Sequence, residues 1–145
     1  MVNLPEELKI LKKFHGHLGP YVVVGYRMGD LARTKLEGKL KAVCFTGSKV
    51  PLSCIVDGVQ FSSSCTMGKG NISVVEAGDP KVQFLDDKHL MEISLLEGVS
   101  ESISNSMSRE TEELLALSIF HEPETALFRI TTIERSPHEL RVKLK

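Results

Sequence analysis

Two histidines stand two apart in Phe14-His15-Gly16-His17-Leu18-Gly19-Pro20. Neutral imidazole is the commonest metal ligand near neutral pH. On one helix an i,i+2 pair points about 200° apart. In a turn or an extended segment both rings can face one ion, or one can bind while the other orients a substrate. The plainer alternative is a polar helix end at which one histidine bonds the last carbonyls.

A second group is Ser53-Cys54-Ile55-Val56-Asp57. If a helix begins at Ser53, Cys54 lies at its positive end, which favours thiolate, the form that binds metal or attacks. Asp57, three residues on, faces the same way, as a ligand, a partner to a histidine or a general base. The alternative is a small buried cysteine beside a solvated aspartate. A third group is Cys65-Thr66-Met67-Gly68-Lys69-Gly70-Asn71. Such a turn can aim successive N–H groups at an anion, with Lys69 adding charge. It lacks the G-x-x-x-x-G-K-[ST] pattern of a nucleotide-binding loop, and a tight turn into a strand explains it equally. Cys44, mid-strand, reads as core. His89, His121 and His138 have no metal-type neighbours in sequence, and Arg27 reads as a helix residue paired with an acid or as an anchor.

The elements that position these residues follow from pattern. Pro5, with Glu6 and Glu7 behind it, suits a helix start, and the spacing predicts a helix over 5–14 that ends at Gly16. Pro20 opens a second helix that ends at Gly38. Gly25 and Gly29 inside it point to close packing against another backbone, because each costs about 1 kcal/mol against alanine. Residues 40–47 read as a strand, and 53–65 fit a helix only partly. Residues 67–71 form a glycine-rich turn. NISVVEAG (71–78) and KVQFLDD (81–87), joined through Gly78-Asp79-Pro80, read as a hairpin-like strand pair, followed by a strand at 89–96. Residues 101–108 read as a loop. Ser108 caps a helix that ends near His121, and 127–134 is a last strand. The tail beyond Pro137 is expected to fray. The fold class is α+β, with N-terminal helices packed on a mostly antiparallel sheet.

Composition narrows the classes. A chain of 145 residues fits one domain, here 1–145, with a core of its own. Net charge is −1 and the basic residues are scattered, which gives no electrostatic case for nucleic acid. No apolar run approaches the roughly 18 residues that span a membrane, and no signal-peptide pattern opens the chain. A cytoplasmic protein is expected. The three cysteines form no C-x-x-C, so neither a disulfide framework nor a zinc ribbon is predicted. Iron–sulfur spacing and a dinucleotide fingerprint are missing too, which argues against redox catalysis by the chain alone.

Three blocks together resemble one family. FHGHLGPYVVVGYRMGDLA is similar to the opening of the FmdE family, proteins associated with formylmethanofuran dehydrogenase, which begins with Phe-His-Gly-His-x-Cys-Pro and a Gly-x-Arg helix. SCIVDGVQFSSSCTMGKGNISV resembles its Ser-Cys-x-x-Asp helix and Cys-Thr-x-Gly-Lys-Gly-Asn turn, and PETALFRITTIE its closing stretch. The resemblance spans 14 to about 134. It implies an α+β core that dimerises and binds a metal, zinc or another divalent transition metal, without the C-terminal zinc ribbon that some members add. It also implies an accessory role beside the molybdenum or tungsten enzyme that loads carbon dioxide onto methanofuran. By that resemblance His15, His17, Cys54 and Cys65 are candidate ligands, and Asp57, His15 and Lys69 candidate catalytic groups. The chain departs from the family at Gly19, where the pattern has cysteine. Three functions follow: a metal-binding accessory protein, a metal-dependent enzyme acting on a small anionic substrate, and a metal-free interaction subunit.

Overall fold

A computed structural model describes residues 3–135. The order is α1 (Glu6–His15), α2 (Pro20–Lys35), β1 (Lys41–Cys44), α3 (Cys54–Ser63), β2 (Ile72–Val74), β3 (Lys81–Leu85), β4 (His89–Leu95), α4 (Glu97–Ser106), α5 (Glu112–His121), α6 (Glu124–Leu127) and β5 (Phe128–Glu134). The five strands form one mixed sheet in the order β2-β1-β3-β4-β5. The class is α+β, but helices are interleaved with strands instead of preceding them. His138 and the tail beyond Pro137 lie outside the described residues.

α1 has Glu6 and Glu7 in its first turn and Lys12 and Lys13 in its last, matched to the helix dipole. Gly16 ends it at φ 101°, a left-handed cap that donates its N–H to the Lys12 carbonyl. The chain then turns through His17 and Gly19 into Pro20, the first residue of α2. α2 is the central helix. It packs on α3, α5 and β4, and Tyr21, Val22, Val23, Val24, Met28 and Ala32 are all buried. It stops at Lys35, short of the expected Gly38, because Leu36 is already extended and buries its side chain.

The α2–α3 crossing is what the glycines make possible. A Cβ on Gly25 would lie 2.0 Å from the Ile55 carbonyl oxygen, and one on Gly58 2.1 Å from that of Val22. At Gly29 it would meet the Ser62 hydroxyl at 2.1 Å. No side chain fits at the first two places while the backbones stay where they are.

Several elements differ from the sequence-based expectations. The ambiguous 53–65 stretch is helix α3. It carries the chain back over the sheet, so β2 joins β1 in parallel, Ala42 opposite Ile72. β3 pairs with β1 antiparallel from the other side, Ala42 opposite Phe84. The 71–78 and 81–87 segments are therefore not partners, since β1 lies between them. Local alternation marks a strand without naming its neighbour. The 40–47 strand is shorter, ending at Cys44. Residues 101–108, poor in helix formers, belong mostly to α4, where burial of Ile103 and packing of Val99 override propensity. The remaining strand pairs are antiparallel: β3 and β4 form a hairpin, and β5 pairs with β4 after three intervening helices.

α5 is held at both ends. The Lys12 ammonium pairs with the Glu113 carboxylate near its start. Arg27 of α2 donates to the carbonyls of Ile119 (2.8 Å), Phe120 (2.9 Å) and Glu122 (2.8 Å) at its finish. Arg27 thus caps helix carbonyls and, among the described residues, is not paired with an acid. Ser108 and Thr111 exchange bonds before the helix: the Ser108 N–H donates to the Thr111 hydroxyl (3.0 Å), and the Thr111 N–H to that of Ser108 (3.3 Å). This reciprocal pattern resembles a capping box.

Candidate functional site

The end of α1, the turn to Pro20, the start of α3 and the start of α5 meet around a small cavity of about 80 Å³. His15, His17, Gly19, Cys54, Met107 and Glu112 line it. His15 is the last residue of α1, so the left-handed turn at Gly16 swings His17 back beside it. The two rings lie 4.8 Å apart, tilted by 41°.

His15 is the best-defined member. Its side chain is only 9% exposed, and its Nδ1 lies 2.6 Å from Asp57 Oδ2. A carboxylate only accepts, so Nδ1–H donates, and in the neutral form of the ring the lone pair lies on Nε2. That Nε2 is buried and has no hydrogen-bond partner among the described residues. A carboxylate on one ring nitrogen and a free lone pair on the other is the arrangement of metal-binding histidines. It equally suits a general base.

Cys54 begins α3 but gains little from its dipole. Cys54, Ile55 and Val56 give their N–H groups to the carbonyls of Pro51 (3.0 Å), Leu52 (3.1 Å) and Ser53 (3.0 Å). Ser53 is itself helical and makes no side-chain cap. Burial, then the charges of Asp57 and Glu112, push the Cys54 thiol up. The expected lowering by a bare helix end is therefore corrected: the turn over 51–53 has already used those donors, and the charges of two carboxylates act on the thiol in the opposite sense.

Glu112 had no mark in sequence. It sits in the first turn of α5 among other acids, where dipole matching explains it. Its Oε1 is 3.4 Å from His17 Nδ1, and its side chain is 26% exposed against 53% for His17.

Two of the sequence candidates lie elsewhere. α3 is 10 residues long, about 15 Å, and Cys65 follows its far end. Cys65 is buried, with its thiol on the Leu40 carbonyl at 3.4 Å. Its proton is held chiefly by burial, against the pull of Lys69 and Arg33. Lys69 borders a separate hollow with Arg33, Lys39 and Asn71. The Gly-Lys-Gly turn is there, with the Gly70 N–H on the Thr66 and Met67 carbonyls, but it does not face the histidines. Cys44 is core, its thiol pushed up to about 12 by burial and by Cys65. A larger hollow of about 480 Å³ between α4, α5 and α6 brings no histidine or cysteine.

The pocket holds donors suited to zinc: imidazole nitrogen, thiol sulfur and carboxylate oxygen. The orphaned Nε2 of His15 is the atom such an ion would satisfy. Among the described residues, no three His, Cys, Asp or Glu side chains are grouped so as to hold a metal ion as they stand. Half-exposed His17 has the freedom to turn inward.

Over residues 14–136 the chain matches the family model described as FmdE, molybdenum formylmethanofuran dehydrogenase operon. The chain belongs to the FmdE family. A curated relative from Archaeoglobus fulgidus, described as a probable S-adenosyl-L-methionine-binding protein, is 28% identical over 108 residues. The alignment takes in 71% of this FmdE-family chain but only 29% of that protein. A crystal structure of a tungsten formylmethanofuran dehydrogenase FmdE-like protein from Syntrophus aciditrophicus shares the fold, with a TM-score of 0.66 at 24% identity. The match covers 93% of this chain and 74% of that one.

Proposed function

We propose that this FmdE-family chain is a metal-binding core protein, with zinc or another divalent transition metal held at the His15 pocket. Its role is accessory to formylmethanofuran dehydrogenase in one-carbon metabolism, in the cytoplasm and as a homodimer. One observation carries the metal: the buried Nε2 of His15, without a partner among the described residues, on a ring fixed by Asp57 at 2.6 Å. Cys54 and His17 line the same cavity. An ion there would supply a positive centre able to polarise a bound carbonyl or water. Asp57 orients the ligand instead of binding. A helical face supports the dimer: half-exposed Ile10 and Phe14 lead to Phe61, 5.6 Å from Phe14 by ring centre, and on to Tyr26 and Phe120. The cavity of about 80 Å³ is far below the roughly 300 Å³ of small-molecule sites. S-adenosyl-L-methionine is therefore not assigned to the His15 pocket.

Metal content per protomer of tag-free protein tests this, with His15→Ala beside the wild type. Near-stoichiometric metal that the variant loses is the expected result. A wild type that neither contains nor takes up metal sinks the reading and leaves a metal-free interaction subunit.

A second reading has one observation behind it. The Asp57–His15 pair borders the same cavity as Cys54, which brings a candidate oriented general base and a candidate nucleophile to one site. It gives an enzyme acting on a small substrate, with the anion-binding part assigned to Lys69 removed, because Lys69 lies by another hollow. The long route from Cys54 thiol to thiolate, against burial and two carboxylates, weighs against it.

A further inference from the structure

Zinc takes four ligands in structural sites and three protein ligands plus water in catalytic ones. His15, His17 and Cys54 are the donors supplied by α1, its following turn and α3. Gly19 adds nothing, although its backbone is ordinary extended chain at φ −128° that any residue can adopt. A Cβ there would meet His17 Cε1 at 3.5 Å and Glu112 Oε2 at 3.6 Å, both normal contacts. A side chain at 19 would set out between the His17 ring, which is nearest, and the Glu112 carboxylate, without clashing with either. That carboxylate also reaches His17 Nδ1 at 3.4 Å and borders the same cavity as Cys54.

We propose that Glu112 is the oxygen ligand of the metal in this chain, filling from α5 the place that the missing side chain of Gly19 leaves. The inference rests on the metal reading above and adds a residue that neither the histidine block nor the cysteine block contains. A carboxylate in the first turn of α5 is stabilised by the helix dipole. The helix beneath it is fixed by Arg27 and by the Lys12–Glu113 pair. An ion pair with His17 alone is the competing account, and it needs no metal.

Metal-free full-length protein titrated with Co²⁺, and with Zn²⁺ in competition, separates the accounts. Wild type is expected to take one equivalent. Glu112→Gln keeps the shape and loses the charge, and its affinity is expected to fall by about tenfold or more, with a changed cobalt visible spectrum. Glu113→Gln, one residue on, is expected to bind as wild type. Gly19→Cys in the Glu112→Gln background is expected to restore affinity and strengthen the thiolate-to-cobalt absorption. Melting of the metal-free variants reports folding separately. If Glu112→Gln binds Co²⁺ with wild-type affinity and spectrum, Glu112 is not a ligand and the metal reading survives. If wild type binds no metal, both fall together.

Discussion

Replacing Gly25 by alanine tests the helix crossing that sets the site. The new Cβ would sit 2.0 Å from the Ile55 carbonyl oxygen and 2.8 Å from its carbon. Ordinary contact begins at 3.4 Å, so α2 and α3 must part by about 1.4 Å, and neither atom belongs to a side chain that can swing away. Overpacking of this kind costs about 1–3 kcal/mol or more. Against it stands the gain of about 1 kcal/mol for alanine over glycine in a helix. The contact is backbone on both sides, which places the overpacking at the upper end, so a net loss of about 2 kcal/mol is expected, roughly 4–8 °C in Tm. Gly98→Ala is the matched control: it lies in α4, and among the described residues nothing stands within 4 Å of its Cβ position. That change should raise Tm slightly. Thermal melts followed by circular dichroism, with both variants beside wild type, read the difference. Equal and same-signed shifts would refute the argument, as would an unperturbed Gly25→Ala. Ile55 adjoins Cys54, so parting the helices also moves the thiol from His15, and metal affinity should drop with stability.

Arg27→Met removes donors to three carbonyls at the end of α5 and should destabilise by about 1.5–3 kcal/mol. Urea unfolding checks this, and a loss under about 0.5 kcal/mol would show that water replaces the cap. Asp86 governs an acid limb. Burial alone would push its carboxyl up, but the N–H groups of Glu37, Lys88 and His89 and the His89 ring outweigh it and hold it below the usual range. A lowered folded value means stability present above about pH 4, the unfolded value, and lost as pH falls through the folded one. Asp86→Asn should therefore be less stable than wild type near neutrality, with the gap closing in acid. Urea midpoints from neutral pH downward test it, and parallel curves would contradict it.

Short-range signals were readable and long-range pairings were not. Pro5, Gly16 and Pro20 marked α1 and the start of α2, because caps and prolines act on their own neighbours. Gly25 and Gly29 announced a close backbone, since little else explains two glycines in a buried helix. Which backbone they met needed α3, whose serines and Gly58 hid its helix; Gly58 serves the crossing from the other side. The strand partners of 71–78 were illegible because a parallel return depends on that hidden helix. At the site, His15, His17, Cys54 and Asp57 proved to be neighbours, while Cys65 and Lys69 stood apart by the length of α3. Their closeness in sequence to Cys54 carried no information about distance once a helix intervened. Glu112 was invisible, one acid among several at a helix start.

The β4–β5 pairing has one more consequence. Leu95 lies opposite Phe128, and the Leu96 N–H bonds the Leu127 carbonyl at 2.8 Å. Everything from α4 to α6 is thus a detour inside a hairpin, leaving and rejoining the sheet at adjacent points. The register of the two strands is set by their own side chains, and closing a longer or shorter detour changes the entropy only slowly with length. Insertions or deletions in this detour can reshape one wall of the pocket, including the carboxylate it delivers, while the sheet and the histidine turn keep their places.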